Sequence, residues 1–336
     1  MITLEIKNKP DKHWNNRLLE TDFGTSSQIK EASVKYEKEN WKPLFLQFID
    51  SNNEIVGQLL LAEFSRFSDQ HHKTKTLIHK VKFIPKILEK IPILKNKVYR
   101  WAYGPVIFNQ NKSSEIYQTL SEFLRKNNDH QVLGWQHPFL TNGSSILKNH
   151  FKLIPWSTFI IDLNQNKDVL FHNIEKDSGR KNIRKAEKKG IVVEEINENN
   201  LHDYFLLFKE SKGERGGKSQ DYEHFLETMK YLKPTGRTGF LARKDGRPIS
   251  GLLFSSVCGH IIEGAVVRSK EDYLNKFYSQ DLVRWKIIEW GVENNMKYYN
   301  LAGFNPQPIS SKEEGIMRYK KKWGGKRYDY FGISLL

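Results

Sequence analysis

The chain has 336 residues, of which 38% are hydrophobic and 12% aromatic. That is about twice the usual single-domain length and enough apolar material for real cores, which excludes a disordered chain and favours two domains. Lys and Arg number 54 against 39 Asp and Glu, a net charge of +15. Such a surplus favours partners carrying negative charge, such as RNA, nucleotide sugars or anionic lipid, and a Lys-rich solvated surface accounts for it equally well.

The single cysteine, Cys258, lies in the apolar stretch LLFSSVCGHII. It reads as part of a buried strand and rules out disulfides and Cys-based metal sites within the chain. No apolar run reaches the roughly 18 residues that span a bilayer. The opening residues, MITLEIKNKPDKHW, lack the apolar core of a signal peptide, so the expected compartment is the cytoplasm.

In chain order, Pro43 to Asp50 and Ile55 to Phe64 flank the turn-rich spacer SNNE, a β-hairpin signal. Next, Lys80 to Lys97 (KVKFIPKILEKIPILKNK) alternates apolar residues with lysines. It suits either a loop and short helix over a core or peripheral contact with an anionic membrane at its inner face. A helix over Ser113 to Lys126 then leads to a strand near Val132 to Trp135. A domain boundary falls near Pro155, dividing the chain into 1–155 and 156–336, and a strand follows at Ser157 to Leu163.

The second half repeats the plan. Gly239 to Arg243 and Pro248 to Phe254 flank Lys244 to Arg247 (KDGR), whose Asp-Gly suits a tight hairpin turn. In the helix Ser279 to Asn294, Leu282, Trp285, Ile288 and Val292 recur at spacings of three and four and form one apolar stripe. A strand near Tyr298 to Leu301 follows, and a terminal strand, Tyr328 to Ser334, could pair with either sheet. Hairpin, strand, helix, strand, twice over, predicts an α/β (α+β) protein of two tandem acetyltransferase-like (GNAT-like) domains, each a mixed twisted sheet flanked by helices.

Three basic segments are candidates for chemistry. Asp177 to Gly190 (DSGRKNIRKAEKKG) reads as one helix capped by Asp or Ser and stopped by Gly. Its Arg180, Arg184 and Lys188 fall at i, i+4 and i+8, a stripe able to grip phosphate or to face solvent. Gly315 to Arg327 (GIMRYKKKWGGKR) interleaves Arg318, Lys320, Lys321 and Lys322 with Tyr319 and Trp323. Aromatics among cations can stack on a base while the charges hold phosphate, or can simply be core aromatics under snorkelling lysines. The Gly324-Gly325 pair would let backbone pass close to a ligand. The glycine-rich loop Ser211 to Ser219 centres on Arg215, whose fork could hold a diphosphate. Its glycine spacing does not fit a Walker loop, and HExxH, CxxC and GxSxG are all absent. The pair His71-His72 lacks the partners of a metal site.

Taken together, these segments resemble the Fem family of peptidoglycan interpeptide-bridge aminoacyltransferases (FemAB-like). The most specific stretch is Gly315 to Gly325. Arg180 with Ile183-Arg184-Lys185-Ala186 and Gly190, Tyr103-Gly104-Pro105-Val106 and Tyr299-Asn300-Leu301-Ala302-Gly303 are weaker matches. The resemblance implies aminoacyl transfer from aminoacyl-tRNA, as co-substrate with no further cofactor, to an amino group of a UDP-linked or lipid-linked muropeptide or other envelope precursor. It makes Lys320 the catalytic ammonium, Tyr319 a platform for the terminal adenosine and Arg215 the ligand of the precursor's diphosphate. Arg180, Arg184, Arg318 and Trp323 complete the substrate-binding candidates. Two rivals stand beside this reading. One is an acyl-CoA-dependent N-acyltransferase, weakened because Asn275 to Leu282 (NKFYSQDL) contains no glycine where pyrophosphate would meet a helix start; the other is a noncatalytic RNA-binding protein.

Overall fold

The structure is a computed structural model, and it describes residues 2–65, 97–126, 131–140, 147–214 and 221–335. His71-His72, Arg215 and all but the last residue of the Lys80 to Lys97 segment lie outside the described residues. The chain divides into two compact units, one of Met1–Trp156 with Asp329–Leu336, the other of Ser157–Tyr328.

The first unit begins with β1 (Thr3–Lys7), α1 (Trp14–Leu19) and α2 (Ser33–Lys38). The hairpin signal around SNNE becomes β2 (Lys42–Ile49) and β3 (Ile55–Ser65), with Leu46 opposite Leu59. Then come β4 (Lys97–Arg100), the short β5 (Val106–Ile107), α3 (Ser113–Arg125) and β6 (Gln131–Trp135). Strands β1 to β4 pair antiparallel in sequence order, and β6 joins β4 in parallel. A parallel neighbour needs a crossover, and α3 supplies it. Its Ile116, Leu120 and Leu124 repeat every fourth residue and are fully buried with Leu46, Phe48, Leu59 and Leu61. The far end of the last strand, β13 (Lys326–Leu335), pairs with β6 through Gly332 and Ile333, so the terminal strand adds to this sheet.

The second unit repeats this order. It takes the end of β7 (Phe151–Asp162), then α4 (Lys167–Asn173), a π-helical turn (Lys176–Arg180), α5 (Lys181–Lys188) and β8 (Ile191–Glu195). Helices α6 (Leu201–Glu214) and α7 (Tyr222–Leu232) precede the hairpin β9 (Arg237–Lys244) and β10 (Arg247–Val257). At its turn Asp245 and Gly246 both have positive φ, the backbone that the Asp-Gly pair favours. Next are β11 (His260–Arg268), α8 (Lys270–Leu274), α9 (Ser279–Glu293), β12 (Tyr298–Asn300) and α10 (Ser311–Lys321). Strands β8 to β11 pair antiparallel in order, β12 joins β11 in parallel across α9, and β7 joins β12.

Three details depart from the sequence reading. Asp177 to Gly190 is not one α-helix: it opens with the π-helical turn, and α5 has no side-chain cap. Cys258 sits in the β10–β11 turn, partly buried and with positive φ, rather than inside a buried strand. The Gly324-Gly325 pair serves close backbone packing. A Cβ on Gly324 would lie 2.5 Å from the carbonyl oxygen of Asn173, and one on Gly325 would lie 2.9 Å from that of Ile160. Gly324 also has φ +77°. Gly324→Ala therefore clashes with backbone and strains φ at once, and chemical denaturation should show a loss of about 2 kcal/mol or more.

Candidate active site

The second unit buries charge where its sheet meets α9. Glu263 on β11 accepts from Arg284 of α9 at 2.7 Å (Nε) and 3.1 Å (Nη2), and from the Tyr299 hydroxyl of β12 at 2.7 Å. Only 7% of the Arg284 side chain and 4% of that of Glu263 are exposed. Arg284 also donates through Nη1 to Gln280 at 3.2 Å and to the Tyr319 hydroxyl on α10 at 2.8 Å. Buried charges are tolerated when paired and fully hydrogen-bonded, and this pair is. Burial works against the charge of Arg284, yet Glu263 more than offsets it and keeps the guanidinium protonated. Burial raises the phenols of Tyr299 and Tyr319 well above their ordinary range.

A second buried pair lies beside the first. Lys322 donates to Asp281 of α9 at 2.5 Å and to the carbonyl of Ser178 at 3.2 Å, and Asn182 of α5 donates to the other Asp281 oxygen at 3.0 Å. This pair ties the end of α10 to the π-helical turn and to α9. Lys322 Nζ also stands 4.0 Å from the centre of the Tyr319 ring, and Arg284 Cζ stands 4.8 Å from it. The ring that the family resemblance offers as a stacking platform thus already lies against two cations.

Lys320, on the last turn of α10, donates to the carbonyls of Ala302 at 2.8 Å and Gly303 at 3.1 Å. These carbonyls follow β12, where Ala302 takes positive φ and its N–H is held by the Asn300 side chain at 2.9 Å. Burial draws the Lys320 ammonium down to about 8; Glu263 opposes that shift and Arg284 adds to it. An ammonium has three N–H donors. Two are spent on carbonyls, and the third has no partner among the described residues.

The remaining sequence candidates separate. Trp323 is 1% exposed and belongs to the core, so it is not a surface platform for a base. With Asp162, Gln165, Asn173, Lys326 and Tyr328 it lines a cavity of about 410 Å³, and its indole N–H has no acceptor among the described residues. Arg180 belongs to the π-helical turn and is partly buried. Its Nε is shut off from solvent without an acceptor among the described residues. Arg184 is exposed, with its guanidinium 5.5 Å from the Phe171 ring, and Arg318 is exposed on α10. Sequence patterns alone did not single out Glu263, Arg284 or Asp281, and Tyr299 stood only within a weaker family match; a charge inside the apolar run LVRWKIIEW was the available signal for Arg284.

Among the described residues no group of three or more His, Cys, Asp or Glu side chains could hold a metal ion, and no helix is long and apolar enough to cross a membrane. The N-terminus of α9 also differs from an open anion site. The buried Asp272 carboxylate accepts from the Ser279 N–H at 3.2 Å and pairs with Arg268, so an acid already occupies the helix start.

No protein-family model matches the chain, and no curated protein matches it in sequence. Solved structures do. FemX has 15% identity and a TM-score of 0.72, with 98% of this chain and 97% of that one covered. L-PGS from Bacillus licheniformis has 11% identity and a TM-score of 0.57 over 98% and 94% of the two chains. A tandem GNAT protein from the clavulanic acid biosynthesis pathway has 13% identity and a TM-score of 0.55 over 100% and 98%. The fold is therefore the tandem acetyltransferase-like arrangement, similar to FemX along nearly the whole chain.

The buried pair can be tested by stability. Glu263→Gln alone or Arg284→Met alone leaves an uncompensated partner and should cost about 3–5 kcal/mol in urea unfolding. The double variant should cost less than the sum of the two, because neither partner is then left alone.

Proposed function

We propose that the protein is an aminoacyltransferase that moves an amino acid from aminoacyl-tRNA to an amino group of a peptidoglycan precursor or similar envelope acceptor. The observation that carries this reading is Lys320: a sheltered ammonium with one free N–H, fixed by two backbone carbonyls beside a buried ion pair.

The acceptor nitrogen attacks the ester carbonyl, a C–N bond forms and the carbonyl oxygen takes up negative charge. The third N–H of Lys320 is available to that oxyanion, and in a dry site such a donor is worth several kcal/mol. Collapse breaks the bond to the ribose oxygen, which leaves with a proton while the former amine gives one up. The exposed cations on α5, Arg184 among them, together with Arg318 suit a tRNA backbone, and Arg180, with its unmatched Nε, suits one phosphate. Tyr319 positions Lys320 through its bond from Arg284. Arg215 remains the candidate for the precursor's diphosphate. The likeness to FemX supports the fold this reading needs.

The rival acyl-CoA reading requires pyrophosphate at the start of α9, where the Asp272 carboxylate, paired with Arg268, already takes the Ser279 N–H. A noncatalytic RNA-binding role predicts instead that Lys320→Ala weakens RNA binding slightly and uniformly, as any phosphate contact would. The proposed setting is the cytoplasm, with an acceptor that is either soluble or at the inner face of the membrane.

The test is transfer of radiolabel from a pool of charged tRNAs to UDP-linked muropeptide, with acetyl-CoA in parallel. Label should reach the muropeptide and fall by roughly 10²–10³ in turnover for Lys320→Ala, with tRNA binding kept. Label only from acetyl-CoA would reverse the assignment.

The pH profile adds a second check. Lys320 acts as a charged donor, so the alkaline limb of the profile should fall as its ammonium loses its proton above about 8, while protonation of the acceptor amine sets the acid limb. Lys320→Arg should be slower but keep its activity further into the alkaline range.

A further inference from the structure

On the other face of the same sheet, covered by α6, stands a guanidinium with no carboxylate partner among the described residues. Arg237, the first residue of β9, is partly buried, and its Nε is shut off from solvent with no hydrogen-bond acceptor among the described residues. The titratable group that bears on it is the Tyr204 phenol of α6, which is itself committed to the carbonyl of Ala265 at 2.8 Å. Burial pulls the Arg237 guanidinium below its ordinary value, so its charge costs free energy where it sits.

The strand beside it is shaped to admit this charge. Pairing of β10 with β11 shifts register between Leu252 and Phe254, which leaves Gly264 and Ala265 as a bulge in β11. A Cβ on Gly264 would stand 2.6 Å from Arg237 Nη1 and 2.7 Å from the Leu253 carbonyl oxygen, so the glycine leaves room for both the neighbouring strand and the guanidinium. Arg237 pairs in register with Ser255, and Phe254, the next residue of β10, packs on Trp290 of α9. Side chains alternate along a strand, so Arg237 shares the α6 face with Leu253 and Tyr204, while Glu263 looks to Arg284 on the α9 face. Gly264 follows Glu263 directly in the chain.

A planar guanidinium with no carboxylate against it among the described residues suits an oxyanion that arrives from outside at its Nη edge, since Nε is closed to solvent. Its parallel N–H groups match the two oxygens of a carboxylate or phosphate. We propose that Arg237 and the Gly264 bulge form an anion-binding subsite for a ligand carrying a carboxylate or a phosphate, on the sheet face opposite the Glu263–Arg284 pair. The inference rests on Arg237 and its surroundings and stands independently of the aminoacyl-transfer reading.

The experiment measures thermal unfolding of the full chain against inorganic phosphate and, separately, succinate, with chloride added to hold ionic strength constant. The midpoint should rise saturably with one or both, and which of them protects names the source of the anion. In Arg237→Gln the protection should weaken by on the order of tenfold or more, and without added anion this variant should be as stable as the parent or more so, since the uncompensated charge is gone. Arg237→Lys, which keeps charge but loses the fork, should fall between the two. Protection equal in the parent and both variants, none from either anion, or a marked loss of stability in Arg237→Gln without anion would overturn the proposal.

Discussion

The second unit is organised around one ion pair. Arg284 and Glu263 lie almost entirely out of water, where a lone charge would cost several kcal/mol even after relaxation. Such a pair persists only if its remaining donors and acceptors are used, and the surrounding elements use them. β11 brings the carboxylate, α9 the guanidinium and Gln280, β12 the Tyr299 hydroxyl and α10 the Tyr319 hydroxyl. Moving any of these elements leaves a buried polar group unmatched. Tyr319 is thereby fixed, and with it the neighbouring residue, Lys320.

The repeated plan sharpens this point. Both units run hairpin, strand, helix and parallel strand, and each crossover helix packs on its own sheet. In the first unit α3 presents Ile116, Leu120 and Leu124 to the sheet, the ordinary apolar solution. In the second, α9 buries Gln280, Asp281 and Arg284 along with Leu282, Trp285 and Ile288. Among the described residues, both ion pairs whose two side chains are each less than a tenth exposed belong to the second unit. Polar groups this costly to bury set the second copy of the plan apart from the first.

Much of the fold was legible because local rules and global packing agree. SNNE and KDGR become hairpin turns, and the residues of the α3 and α9 segments become helices of nearly the expected length. The site was less legible. The stripe Leu282, Trp285, Ile288 suggested one buried face, whereas α9 also packs on α5 and is buried on more than one side. Periodicity cannot tell a buried Arg284 from a solvated one; that needs Glu263, distant in sequence. In the same way Trp323 and the paired glycines read as ligand contacts because aromatic and glycine residues serve both roles. Their burial against Asn173 and Ile160 depends on strand and helix neighbours that a single segment does not contain.

Charge balance connects the ion pair to Lys320. Arg284 and Glu263 cancel one another, as do Lys322 and Asp281. Lys320 is then the unmatched cation of the cluster, held by carbonyl dipoles that carry no net charge. Burial alone would favour the neutral amine. The nearby Glu263 carboxylate limits that effect while Arg284 works against it, and the balance leaves the group charged at neutral pH yet close to its titration. In the aminoacyl-transfer reading proposed above, a donor in that condition meets a developing negative charge with little rearrangement, since its partners are already in place and the neighbouring charges are already neutralised. The same scaffold with a fully solvated lysine would spend that advantage on reorganising water. Two complete buried ion pairs neighbour Lys320, and its partly buried ammonium is the cation of the group held by carbonyls alone.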